Sequence, residues 1–204
     1  MTIESRAWKS TKVKNKMNNI DQFTADWWLS VATNDAKLRK WLQKLQKTEI
    51  GGYYDHYNFM ALHPEMDERT RTILINIADD EAKHSNMIVG VLSRRGWFTD
   101  INAPDSTYWD DLLKHVKTVE DYCAANFYGE QLAAYRFQKI LECDATPKDI
   151  RDLIEKVLPD EVFHRETLMR LAGPDALEKF RVLNDQATKK LLDKKTTVPV
   201  YYEP

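Results

Sequence analysis

Two Glu-x-x-His steps carry the chemistry of this chain: Glu81 with His84, and Glu161 with His164. Residues three apart share one face of a helix. Around the first pair that face reads Ile73, Ile77, Glu81, His84, Ile88, Val91. Around the second it reads Leu153, Val157, Glu161, His164, Leu168, Leu171, with the same spacing throughout. An acid and an imidazole thus sit mid-way along two apolar seams, where a plain core would take leucine. Two further segments each offer one acid in a similar place. Glu49 follows Leu42 and Leu45 at helical spacing, and Glu130 follows Cys123 and Phe127 and precedes Phe137 and Leu141.

Burying such groups unpaired is costly, several kcal/mol for each isolated charge. Two divalent cations remove the difficulty. Four ionised glutamates balance them, and the imidazoles bind as neutral donors. Oxygen and nitrogen donors without thiolate favour iron or manganese over structural zinc. The two cysteines, Cys123 and Cys143, lie far apart and form no CxxC, so neither a disulfide framework nor a thiolate metal site is indicated.

The elements that must position these groups are helices. Glycine and proline are few, 6 and 7, and apolar residues recur every three or four positions. The pattern predicts helices over 20–33, 36–62, 67–95 and 118–142, a fifth running to Leu171, and a last over 174–193. Gly96 is placed as the residue just past the third helix. Thr146 is placed as the N-cap of the fifth, with Pro147 at its first position. Pro159 either kinks the fifth helix or starts a new one, and the unbroken seam from Leu153 favours a single kinked helix.

Glu49 and Glu81 are equidistant from the turn "HPEMD", as are Glu130 and Glu161 from "CDATPKD". In an antiparallel hairpin such residues stand level. The chain therefore reads as two copies of one arrangement. They are joined by the stretch "FTDINAPDSTYWDDLLKHVK", long enough to hold a short helix and to let the third and fourth helices run parallel. The architecture expected is an all-α single domain over 1–204. It comprises an N-terminal extension to residue 37, a four-helix bundle over about 38–172, and a C-terminal helix and tail over 173–204.

With Glu49, Glu81, His84, Glu130, Glu161 and His164 in place, the chain resembles the ferritin-like di-iron carboxylate superfamily. There, two helices supply one Glu each and the other two supply Glu-x-x-His. The resemblance spans roughly 38–172. It implies a ferritin-like bundle holding two iron ions, or a Mn/Fe or Mn pair, with Glu81 and Glu161 as bridges. It also implies O2 or peroxide as co-substrate, an external electron donor, and oxidation or hydroxylation of a small organic substrate, as in a monooxygenase. A rubrerythrin-like peroxidase or ferroxidase is the alternative, though no rubredoxin-like CxxC segment is present. Iron storage is another, but storage ferritins usually lack the second His. A tRNA hydroxylase is a fourth reading, with Arg94 and Arg95 as the basic patch. A non-catalytic monooxygenase subunit is a fifth, but such subunits often lose ligands and this chain keeps all six. A homodimer is compatible with any of these.

Other residues near the seams carry double readings. Tyr53, one turn after Glu49, is the candidate catalytic tyrosine, a proton or electron relay, against ordinary aromatic packing. Tyr128 and Tyr135 flank Glu130 and compete for that role. His56, two turns past Glu49, reads as a relay or as a satisfied core histidine, the latter favoured. Asp80 and Asp160 precede the two bridging acids and point to another helix face, so at most they support the ligands from outside. Gly51, Gly52 and Gly129 make room for a substrate, permit a π-bulge, or allow close helix packing. Trp27 and Trp28 serve a membrane or partner contact or, preferred here, cover one end of the bundle.

Charged residues make up 30% and hydrophobic residues 43%, typical of a folded globular chain. The net charge of −2 gives nucleic acid binding no support. The basic stretch from Lys9 to Lys16 reads as a solvated segment. The N-terminus has no apolar run of a secretory signal, no window suits a membrane span, and a cytoplasmic location is expected.

Overall fold

The computed structural model describes residues 21–100, 102 and 107–193. The basic stretch Lys9–Lys16 and the tail "TTVPVYYEP" lie outside the described residues. Among the described residues six helices follow in order: α1 (residues 21–32), α2 (Asp35–Leu62), α3 (Glu68–Arg94), α4 (Thr107–Leu113), α5 (Val119–Glu142) and α6 (Lys148–Asp193). No strand occurs among the described residues, and none of the helices there is long and apolar enough to cross a membrane.

The sequence sets the helix ends by local hydrogen bonds. Asn34, Asp67 and Thr118 each accept a bond from the backbone N–H three residues on, which caps α2, α3 and α5. Beyond α3, Gly96 takes φ 67°, while Gly96 N–H bonds to Ser93 O and Trp97 N–H to Leu92 O. This double closure needs a residue at ease in the left-handed region. Thr146 is not the cap that the sequence suggested. Its hydroxyl donates to Ile140 O and accepts from Trp28 Nε1, so it ties α1 to the α5–α6 turn. The carbonyl of Pro147 accepts the first bonds of α6, from Ile150 and Arg151. The helix then runs on through Pro159 with helical torsions and breaks only at Gly173, φ 72°.

α2 and α3 form one antiparallel hairpin, and α5 and α6 form the other. The two are built alike. Arg71, ten residues before Glu81, reaches back to Met60 O and His63 O at the end of α2. Arg151, ten before Glu161, reaches back to Leu141 O and Cys143 O at the end of α5. Each guanidinium satisfies carbonyls that the preceding helix leaves unpaired.

The hairpins meet along α3 and α6, where His84 pairs with Asp160 and His164 with Asp80, a crossed pattern that makes these helices antiparallel. α2 and α5 touch through His56, Phe59 and Tyr122, yet no Cα of α2 lies within 8 Å of one of α5. α3 and α5 consequently run parallel, so the segment of residues 95–118 joins opposite ends of the bundle. Arg95 anchors its start through two 2.6 Å bonds to Asp149. Tyr108 in α4 anchors its middle through a 2.7 Å bond to Asn184.

Two apolar clusters fill the interior. One holds Leu38, Leu42, Ile88, Phe137, Ile154 and Val157, sealed by Trp28 of α1. The other holds Phe59, Leu74, Ile77, Tyr122, Phe127, Leu168 and Phe180. α1 thus covers one end, the preferred reading of Trp27 and Trp28. Between the clusters lies the level of the acids and imidazoles.

Candidate metal centre

Two donor groups meet at that level. Glu49, Glu81, His84 and Glu161 form one, and Glu81, Glu130, Glu161 and His164 the other, with one donor atom from each residue within 4.8 Å of the rest of its group. Glu81 and Glu161 belong to both. All six residues singled out by spacing are therefore together, and the two acids expected to bridge are the two that are shared. Both histidines are fully buried, Glu49, Glu81 and Glu161 are buried, and Glu130 is half-buried.

The inward atoms are left without hydrogen bonds. His84 Nδ1 lies 3.4 Å from Glu49 Oε2 and 3.3 Å from Glu161 Oε1, and His164 Nδ1 lies 3.5 Å from Glu81 Oε1. Yet Glu49 Oε2, His84 Nδ1, Glu161 Oε1 and His164 Nδ1 make no hydrogen bond among the described residues. Buried polar atoms are seldom left so. Four of them in two sets of hard and borderline donors fit a pair of divalent cations.

The outer ring nitrogens are held from the opposite helix. His84 Nε2 bonds Asp160 Oδ2 at 3.1 Å, and His164 Nε2 bonds Asp80 Oδ2 at 3.3 Å. In the neutral ring, Nε2–H donated outward leaves the Nδ1 lone pair facing inward, the support that metal-binding histidines usually have. Lys83 bonds both aspartates, at 3.2 and 3.1 Å. Asp80 and Asp160 thus act across the helix pair, which their position one residue off the seam does not reveal.

Electrostatics at this level favour positive charge. Burial, and then the Glu81 charge, pushes the Glu49 carboxyl well above the usual carboxylate range. Burial does the same to Glu130, helped by Glu161 and Glu81. Burial pulls the His84 imidazole down, but Glu161 and Glu49 together outweigh it and hold the ring up at about 11. His164 is likewise drawn down by burial and raised on balance by Glu81. Protons thus do in the metal-free chain what cations would do in the loaded one, and metal uptake displaces them.

The glycines beside the acids have distinct uses. A methyl group at Gly52 would stand 3.4 Å from Glu81 Cγ and Oε2, so α2 passes close over a shared ligand. A methyl at Gly129 would overlap the Trp109 indole, which lies flush on α5 next to Glu130. Gly51 faces open space.

Tyr53, Tyr128 and Tyr135 take the packing reading rather than the relay reading. Tyr53 packs on Tyr54 and Tyr57 at a partly exposed face of α2 and makes no hydrogen bond among the described residues. Tyr128 donates to Leu177 O, and Tyr135 to Asp21 Oδ1, both away from the donors. Two turns from the donor level, Tyr122 is buried with its hydroxyl 2.9 Å from His56 Nδ1. His56 is the buried, partnered histidine the sequence reading favoured. Counting from the two lone acids leads to this pair, because α2 and α5 run antiparallel: His56 is seven residues on from Glu49 and Tyr122 eight back from Glu130.

No family model matches the chain, and no curated protein or solved structure matches it.

Proposed function

We propose that the chain is a ferritin-like dinuclear metal oxidoreductase that activates O2 to oxidise or hydroxylate a small organic substrate. The observation carrying this reading is the pair of donor sets sharing Glu81 and Glu161, with their inward atoms unpartnered. Glu49 and His84 would serve one ion, Glu130 and His164 the other, and Glu81 and Glu161 both. When bound, iron in such a setting supplies electrons and Lewis acidity to O2 or peroxide.

The protein's own contributions follow from the geometry. Asp160 and Asp80 fix the tautomer and direction of the two rings. The apolar clusters above and below keep bulk water from the level between. Each ion would be held by four residues, three glutamates and one histidine. α3 and α6 meet on the histidine side, but α2 and α5 stand further apart. That wider side is where a small substrate would reach Glu49 and Glu130. Of the two arginines in the RNA reading, Arg95 is committed to Asp149 and stacks on Trp97.

The test is metal content followed by two oxidants. The anaerobic chain is titrated with Fe(II), then mixed with O2 or with H2O2, while absorbance and products from a panel of small substrates are followed. Two irons per chain and an O2-dependent organic product support the reading. Two irons with rapid oxidation by H2O2 and no organic product moves the assignment to a peroxidase. A chain that binds no metal refutes both.

A further inference from the structure

The geometry points to Tyr122 as a redox-active tyrosine that gives up one electron while its phenolic proton passes to His56. This deepens the dinuclear reading and rests on it for the physiological oxidant. Both rings are buried, and Tyr122 Oη lies 2.9 Å from His56 Nδ1, a hydrogen bond between a phenol and a base. A phenol becomes a far stronger acid once it loses an electron, so its oxidation is easy only where a base waits at hydrogen-bond distance. With its hydrogen on Nε2, neutral His56 is that base. The site keeps it neutral at rest, since burial holds the imidazole down to about 4.

The pair stands between the donor level and the surface. On the inner side, Glu81 is within electrostatic reach of both Tyr122 and His56, and His164 of His56. The Glu81 charge favours the imidazolium that the step creates. On the outer side, Phe59 stacks on Tyr122 with centroids 3.8 Å apart and planes 6° from parallel. Phe59 meets His63 at 4.2 Å, and His63 is 23% exposed at the end of α2. Four rings in contact therefore lead from buried His56 to His63 at the surface. Tyr53 and Tyr128 have no comparable partner: the first has no hydrogen bond among the described residues, and the second donates to a carbonyl.

The step balances as follows. The O–H bond of Tyr122 breaks and an N–H bond forms at His56 Nδ1. The electron goes to a one-electron oxidant, in the proposed function the oxidised metal pair. The products are a neutral tyrosyl radical, an imidazolium, and an oxidant reduced by one electron. An external one-electron donor, reached through Phe59 and His63, and the proton held on His56 restore the phenol.

The experiment attaches a ruthenium–bipyridyl photo-oxidant to His63 of the full-length, metal-free chain, in a His115→Gln background so that the label has one accessible histidine. Flash photolysis should produce the tyrosyl absorption band, with formation slowed in D2O. Tyr122→Phe should abolish the band, and His56→Gln should slow its formation by about a hundredfold. No band in the parent chain, a band surviving Tyr122→Phe, or a rate indifferent to both D2O and His56→Gln would overturn the proposal. The D2O comparison uses no change at either residue, so a variant that fails to fold leaves the test intact. Iron binding is measured separately: its absence would end the dinuclear reading while the photochemical result still decides the role of Tyr122.

Discussion

Replacing Glu161 with leucine should make the metal-free protein more stable and the metal-treated protein less so. In the metal-free chain four glutamates share one level with two imidazoles. Glu161, like Glu81, bears with its charge on both Glu49 and Glu130. Without it, Glu49 remains beside His84 at 3.4 Å and Glu81 beside His164 at 3.5 Å, one acid to each ring. Removing one member of a buried pair costs about 3–5 kcal/mol when its partner is left unpaired, whereas exchanging buried charge for apolar groups of similar volume is worth about 1–4 kcal/mol; His84 loses Glu161 at 3.3 Å but keeps Glu49, so the second case applies. Taking ~2 kcal/mol, the melting temperature of a chain this long should rise by about 4–8 °C. Metal reverses the order. A ligand at a hundred times its dissociation constant adds about 2.7 kcal/mol to the form that binds it, and Glu161→Leu removes a donor from both sets at once. The assay is a pair of thermal melts by circular dichroism, with chelator and with Mn(II). Leucine at 161 melting below the parent in chelator, or equal stabilisation of both proteins by Mn(II), would refute the charge argument.

Three other outcomes follow from the same structure. Asp160→Asn keeps the size of the side chain but loosens its hold on His84 Nε2, so Mn(II) affinity by calorimetry should drop by about 10–100-fold while the fold persists. Gly129→Ala should displace the Trp109 indole, shift tryptophan fluorescence, and cost about 1–3 kcal/mol in urea unfolding, as overpacking does. The third concerns acid. His56 is held at about 4 when folded and titrates near 6.5 when unfolded, so the unfolded chain binds the extra proton between those values. Its contribution is fully present above pH 6.5 and lost as pH falls toward 4, about 3 kcal/mol by one pKa unit per 1.36 kcal/mol. Urea melts from pH 7 to pH 4.5 should show this slope, and His56→Gln should flatten it.

The donors were legible because a single periodicity decides where each side chain points. Glu81, His84, Glu161 and His164 replace apolar residues on two seams of identical spacing, and Glu49 and Glu130 stand level with them by reflection through two short turns. Asp80 and Asp160 were underrated because their roles exist only across α3 and α6, a pairing that no argument confined to one helix face contains. Tyr53 drew attention because it shares a helix with Glu49; Tyr122 went unconsidered because its partner, His56, stands on another element. Trp109 lies in a crossover with no periodic pattern, so nothing in the sequence placed it on Gly129. Thr146 has the composition of a cap, but its hydroxyl serves Trp28 and Ile140 instead.

Neither hairpin owns a complete donor set. The first supplies Glu49, Glu81 and His84 and needs Glu161; the second supplies Glu130, Glu161 and His164 and needs Glu81. Cations held there would act as rivets between two halves of the polypeptide. A protein cut within residues 101–106 and expressed as two fragments should consequently rejoin more tightly with Mn(II) than with chelator, the metal supplying the linkage that the severed backbone no longer provides.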